Sequence, residues 1–374
     1  MVCQEPMKKV NFVFGTRPEA IKLAPLVLES NRRGFDTVIT LTGQHRELVA
    51  PLIELFGIEV NHDLNLMTKG QTPSQVFTRT LEGLDQINGI KDCDCFFVQG
   101  DTTSALAGGF WAFSNRIPIA HVEAGLRTYD LSAPYPEEAN RQLLSRITDY
   151  HFAPTETARK HLLSEGLDES KIFVVGNTGI DSVLGINRRL IANDVPEKFR
   201  LPKEVNSKLS DAPMILITAH RRENFGTGFE NICDAIETLS RTLPDYQFIY
   251  PVHPNPNVRD IVYSRLSNIP GVELIEPQSY VPFIELMSRA KVILTDSGGV
   301  QEEAPSLRKR IIVLRESTER PEGVTAGFST LVGTDTNRIV DETLKALTTP
   351  FPQLLENPYG DGHASKKIID IFSC

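Results

Sequence analysis

Short apolar runs alternate with longer stretches of helical periodicity from one end of this chain to the other, and that alternation constrains its fold more than any other feature. A short apolar run bounded by turn residues reads as a strand buried on both faces. A helix-length stretch between two such runs makes them neighbours in a parallel sheet. The runs form two series. Residues 9–14, 37–42, 95–99, 118–122, 150–153 and 172–175 make the first, and residues 214–218, 247–251, 272–275, 292–295 and 310–314 the second. The polar, proline-containing stretch 193–213 separates them. An α/β protein with two Rossmann-like, doubly wound parallel-sheet domains facing a central cleft is the expected architecture. With 374 residues each domain is large enough to bury its own core. The expected boundaries are 1–180 and 181–352, with 353–374 a final helix crossing back to the first domain.

Charge narrows the partners. The chain carries 39 basic and 48 acidic side chains, and 39 − 48 gives a net charge of −9. That balance argues against binding to nucleic acid or to an anionic membrane, since both need a basic face. Residues 1–9 include Glu5 and Pro6 and lack the apolar stretch of a secretory signal, and no run approaches the roughly 18 apolar residues of a membrane span. A cytoplasmic location is expected. The 5 cysteines, Cys3, Cys93, Cys95, Cys233 and Cys374, are odd in number and irregular in spacing, which fits neither a disulfide framework nor a zinc knuckle. Asp92-Cys93-Asp94 mimics a D-x-D metal clamp, but it precedes a strand, whereas ligands in such folds meet the carboxyl ends of strands. No metal site is expected.

The first strand runs into Gly15-Thr16-Arg17-Pro18-Glu19, without a G-x-G-x-x-G, and no P-loop occurs anywhere. Tightly held nicotinamide and a nucleotide-hydrolysing engine are both disfavoured. An internal echo links the halves: one strand ends in Gly100-Asp101-Thr102-Thr103 and the next runs into Glu123, while Asp296-Ser297-Gly298-Gly299 precedes a strand that leads on towards Glu319. Ser297, Gly298 and Gly299 open a helix after a strand, a place where backbone N–H groups face an anion, and Glu303 lies one turn further on, where it can meet ribose hydroxyls or simply solvent. Arg17 and Lys22 add positive charge near the end of the first strand. Asp101 and Glu123 sit at strand ends, and crowded carboxylates are suited to proton transfer. Glu137 and Arg141, taken alone, read as an i, i+4 ion pair on a helix. The run His220-Arg221-Arg222 at another strand end is a poor core and a good anion clamp.

In chain order the strings FGTRPEAIKLAP, TGQHRE, VQGDTTSALA, HVEAGLRT, PEEANR, FAPTE, GNTGIDS, TAHRREN, PVHPNP, DSGGVQEEAP, STERPEG and NPYGDGHAS resemble the non-hydrolysing UDP-N-acetylglucosamine 2-epimerases, over nearly the whole sequence. That resemblance implies the two-domain GT-B fold, a homodimer, and interconversion of UDP-N-acetylglucosamine and UDP-N-acetylmannosamine without nicotinamide or metal. It further implies catalytic roles for Asp101, Glu123, Glu137, Arg141 and His220. Contacts to the nucleotide are implied for Arg17, Lys22, Ser297, Gly298, Gly299 and Glu303, with Phe283 against the uracil. Some members are activated by a second substrate molecule, at positions matching Gln44, Glu47, Gly70, Glu138, Arg221 and His253. Here Glu47 stands in place of a glutamine and Gly70 in place of an arginine, whereas Gln44, Glu138, Arg221 and His253 keep the pattern. A hydrolysing epimerase and a GT-B glycosyltransferase are the competing readings.

Overall fold

The computed structural model describes residues 8–68, 70–351 and 356–373. Cys3, Cys374 and residues 353–355 of the expected crossing segment lie outside them. The first sheet consists of β1 Lys9–Phe14, β2 Asp36–Leu41, β3 His62–Asp63, β4 Cys95–Gln99, β5 Ile119–Val122, β6 Tyr150–Ala153 and β7 Ile172–Val174. Its order is 3-2-1-4-5-6-7. The second consists of β8 Met214–Thr218, β9 Gln247–Pro251, β10 Val272–Ile275, β11 Ala290–Thr295, β12 Arg310–Val313 and β13 Ser329–Leu331, in the order 10-9-8-11-12-13. All these pairings are parallel. Both sheets are doubly wound: the strand order reverses between β1 and β4 in one and between β8 and β11 in the other, the places where such folds take ligands.

Every apolar run read from the sequence is a strand. The sequence reading missed β3 and β13, which are short edge strands. An edge strand pairs on one side only, so His62–Asp63 joins the sheet without an apolar run to announce it.

Residues up to Ser182, together with those from Tyr359 on, form one compact unit, and Val183–Pro358 form another. In the first, Phe12 of β1 stacks on Phe97 of β4 with centroids 4.6 Å apart. The last helix, Ala364–Phe372, sets Phe372 edge-on to Phe97, Tyr150 and Phe152 at 5.4, 5.0 and 6.0 Å. Asp181 holds the start of that helix, accepting from the amides of Ala364 at 3.2 Å and Ser365 at 2.8 Å, and Asp370 pairs with Arg33. In the second unit Ile215, Ile217, Phe248 and Tyr250 pack under Phe229 and Leu239. The Tyr250 hydroxyl donates to the Ala219 carbonyl at 3.0 Å, which ties β9 to the residue before His220.

The cysteines within the described residues are core thiols: Cys93, Cys95 and Cys233 are buried, and burial pushes Cys93 up to about 11 and Cys233 to about 12. Asp94 accepts from the amides of Lys8 at 2.7 Å and Lys9 at 2.9 Å, so the D-x-D string caps the amino end of the first sheet. No helix among the described residues is long and apolar enough to cross a membrane.

Candidate active site

The turn after β1 is compressed: a Cβ on Gly15 would fall 1.8 Å from Thr42 Oγ1, so only glycine fits. The helix Arg17–Arg32 that follows starts with a capping box. The Thr16 hydroxyl accepts from the Glu19 amide, and Glu19 Oε2 accepts from the amides of Gly15 at 2.9 Å and Thr16 at 2.7 Å. The other Glu19 oxygen accepts from the Thr102 hydroxyl at 2.7 Å, and Thr102 caps the helix Thr103–Ser114. One buried carboxylate therefore ties the loop carrying Arg17 to the loop carrying Asp101. Burial pushes the Glu19 carboxyl up, against the pull of its donors.

Asp101 is held from two directions. Its carbonyl accepts from Asn140 Nδ2 at 2.9 Å, and its carboxylate pairs with Arg141. Before it, the Gly100 carbonyl lies 2.7 Å from His121 Nε2; a carbonyl only accepts, so Nε2 carries the proton. Burial drives the His121 pKa down to about 3, keeping the ring neutral. Glu123, one residue past β5 and nearly buried, adopts φ +65°, a conformation a β-carbon disfavours by about 1–2 kcal/mol. Its carboxylate pairs with Lys22 Nζ and accepts from Gln99 at the end of β4. Lys22, expected at the nucleotide, is thus a partner of Glu123.

The helix Glu137–Ile147 departs from the ion pair expected between Glu137 and Arg141. Arg141 instead reaches Glu138 at 3.2 Å and crosses to Asp101. Aiming the guanidinium at Asp101 swings it to the i, i+3 neighbour. Glu138 is fully buried: burial pushes its carboxyl up, and donors from Gln142 and the amides of Thr128 and Tyr129, with Arg141, outweigh that and hold it low. Among the other positions matching the activator site, Gln44 Oε1 accepts from Ser104 at 3.1 Å, while Glu47 and Gly70 are exposed.

At the second switch point Asp296, 0 % exposed, follows β11. Its Oδ2 accepts from the amides of His220 and Arg221, both at 2.8 Å, and from Asn224 Nδ2 at 3.2 Å. His220 Nδ1 lies 3.4 Å from Oδ1, and the His220 ring stacks on His253 with centroids 5.4 Å apart. Burial pushes His220 down, Asp296 pulls it up, and His253 and Arg221 push it down, with a net lowering. Ser297 precedes the helix Gly298–Glu303, and a Cβ on Gly298 would press on the Arg320 guanidinium at 3.3 Å. Arg320 pairs with Glu302 at 2.7 Å. Glu303 accepts from the Tyr280 hydroxyl at 3.4 Å, and Phe283, half-buried, lies on the same helix as Tyr280, Tyr280–Arg289. Glu319, the echo of Glu123, is exposed and pairs with Arg320 at 2.7 Å, so the halves match in strand order and differ in acids.

Sequence reasoning missed Glu19, Gln99, His121 and Asp296. The T-x-x-E of Thr16 and Glu19 is a legible capping signal, whereas Gln99 and His121 carry none.

A family described as UDP-N-acetylglucosamine 2-epimerase matches residues 28–373. The UDP-N-acetylglucosamine 2-epimerase of Escherichia coli (strain K12) is 48% identical over 369 residues, covering 97% of each chain. The crystal structure of the UDP-GlcNAc 2-epimerase from Neisseria meningitidis, bound to UDP-GlcNAc, superposes with a TM-score of 0.85 at 42% identity, over 97% of this chain and 99% of that one. The Methanocaldococcus jannaschii UDP-GlcNAc 2-epimerase in complex with UDP-GlcNAc and UDP superposes with a TM-score of 0.78 at 34% identity, over 97% and 99%.

Proposed function

Because the chain belongs to the UDP-N-acetylglucosamine 2-epimerase family, we propose that it interconverts UDP-N-acetylglucosamine and UDP-N-acetylmannosamine by elimination and re-addition of UDP. Carbon 2 bears an acetamido group and no adjacent carbonyl, so its proton is not acidic in the substrate. Breaking the bond from carbon 1 to the phosphate oxygen sends that electron pair to UDP, while a carboxylate takes the carbon 2 proton and the electrons of that bond form the double bond of 2-acetamidoglucal. UDP then re-adds at carbon 1 as an acid protonates the opposite face of carbon 2.

The observation that supports this reading best is the pair Asp101 and Glu123 at the β1/β4 switch region, each held by its own cation, Arg141 and Lys22. Two acids are required because removal and return of the proton occur on opposite faces. We assign Asp101, Glu123 and Glu137 to proton transfer, with Arg141 beside them. His220 and Arg17 take the diphosphate, where positive charge favours departure of the leaving group. Ser297, Gly298, Gly299, Glu303 and Phe283 take the nucleotide. Lys22 serves Glu123 directly, and a contact to the nucleotide would be additional.

A homodimer completes the reading. Phe110 and Phe113 on the helix Thr103–Ser114 and Leu143 on the neighbouring helix Glu137–Ile147 are exposed apolar side chains suited to a second copy. Sedimentation at the mass of two chains would support this, and a monomer at micromolar concentration would refute it.

Proton NMR with UDP-N-acetylglucosamine in D₂O tests the reaction. UDP-N-acetylmannosamine carrying deuterium at carbon 2 is expected. Free N-acetylmannosamine with UDP would move the protein to hydrolysis, and an unchanged spectrum would remove the epimerase reading.

A further inference from the structure

Asp296 is a wholly buried carboxylate with one oxygen spent and one unspent. Three donors converge on Oδ2, from His220, Arg221 and Asn224, whereas Oδ1 is shut off from solvent, has no hydrogen-bond partner, and lies 3.4 Å from His220 Nδ1. Burying a charge is unfavourable by several kcal/mol unless it is paired, so an acceptor left over in the core calls for a reason. A rotation of the imidazole by a few tenths of an ångström brings Nδ1 within ordinary hydrogen-bond distance. The amides accepted by Oδ2 belong to His220 and its neighbour, so the same carboxylate fixes both the backbone and the ring.

We propose that Asp296 is a positioning residue for His220, holding its ring with Nδ1–H toward Oδ1 so that Nε2 faces away from the protein core and stabilising the imidazolium form. The arrangement is that of a carboxylate–imidazole dyad, in which the acid sets tautomer and orientation and is not itself protonated. Applied to the reaction, which rests on the epimerase reading, the ring takes up a second proton from solvent, on Nε2, as the anionic diphosphate binds, and Nε2–H then hydrogen bonds to a phosphoryl oxygen as the electron pair of the broken bond collects on UDP. The proton stays on His220. The charged groups facing the ring are Asp296 from the end of β11, His253 stacked from the loop after β9, and Arg221 on its own loop.

The test compares Asp296→Asn with Asn224→Ala, which removes a donor to the same carboxylate without facing the imidazole. The His220 ring signal, identified by its loss in His220→Gln, is titrated by NMR in the free protein. In Asp296→Asn its pKa is expected to fall by about one unit and kcat by roughly 10–100-fold, with a parallel loss of UDP affinity. Asn224→Ala leaves the pKa within about 0.3 unit and lowers kcat less than about threefold. An unmoved pKa in Asp296→Asn, or equal losses of kcat in the two variants, overturns the proposal. Should Asp296→Asn fail to fold, ¹⁵N shifts of the unaltered protein decide, since the neutral ring must carry its proton on Nδ1. A shifted pKa in a protein that does not epimerise would sink the epimerase reading and leave the dyad standing.

Discussion

The two sheets are wound alike over six strands, yet Asp101 and Glu123 at the end of one are held in a different way from Asp296 at the end of the other. At the end of the first, Asp101 and Glu123 are neutralised by side chains, Arg141 and Lys22 with Gln99. At the end of the second, Asp296 is held by backbone amides and Asn224. A long cationic side chain can follow a carboxylate as its proton comes and goes, whereas a pair of amides locks a loop in place. The difference fits the proposed reaction, in which protons move at the end of the first sheet and an anion is gripped at the end of the second.

The sharpest attempt to break that division is Asp101→Asn and, separately, Glu123→Gln. Each should lower kcat by roughly 10²–10⁴-fold while UDP affinity stays within about threefold. A loss of UDP affinity as large as the loss of kcat would make these acids structural and dissolve the contrast.

Phe372→Ala comes next. Truncating a buried phenylalanine in contact with three aromatic rings should lower the stability of the first unit by about 3–5 kcal/mol. The chain's 1 tryptophan, Trp111, is buried in that unit, so urea unfolding followed by its fluorescence reads this unit directly. Hydrogen exchange should show β8 and β11 unaffected.

Acid should also act on the first unit. Burial lowers His121 to about 3 and His151 to about 4, and the two are paired across β5 and β6. Both are neutral when folded, and the unfolded chain takes up their protons below about pH 6.5. Stability therefore falls as pH drops from about 6.5 towards 4, by about 2 kcal/mol per histidine at pH 5. A Trp111 urea midpoint unchanged between pH 7 and pH 5 would show that these rings are charged in the fold.

Phe283→Ala is the mildest. It should raise KM about tenfold through lost stacking on the base, with kcat within about twofold. A fall in kcat instead would place Phe283 with the proton-moving machinery.

The strand runs are legible because buried parallel strands have no polar face to confuse the pattern, while β3 and β13 escape because His62–Asp63 and Ser329–Leu331 are too short and too polar to make an apolar run. In the site, residue types and strand ends were legible and pairings were not. Lys22 and Arg17 look alike in sequence, yet helical geometry brings Lys22, one turn on, to Glu123. Arg141 chose Glu138 over Glu137 because its other partner is Asp101, a residue from a different loop. In the sequence Asp296 is only the start of a glycine turn, since nothing local shows that the loop after β8 folds its amides onto it.

Phe372 also sets an order of events during synthesis. The strands it covers, β4 and β6, are complete before residue 182, but their aromatic partner is made 372 − 182 = 190 residues later. At roughly 5–20 residues per second that is a wait of about 10–40 s. The first unit thus waits for a helix that is made only after the whole of the second unit. Through that interval Phe97, Tyr150 and Phe152 lack the ring that closes over them.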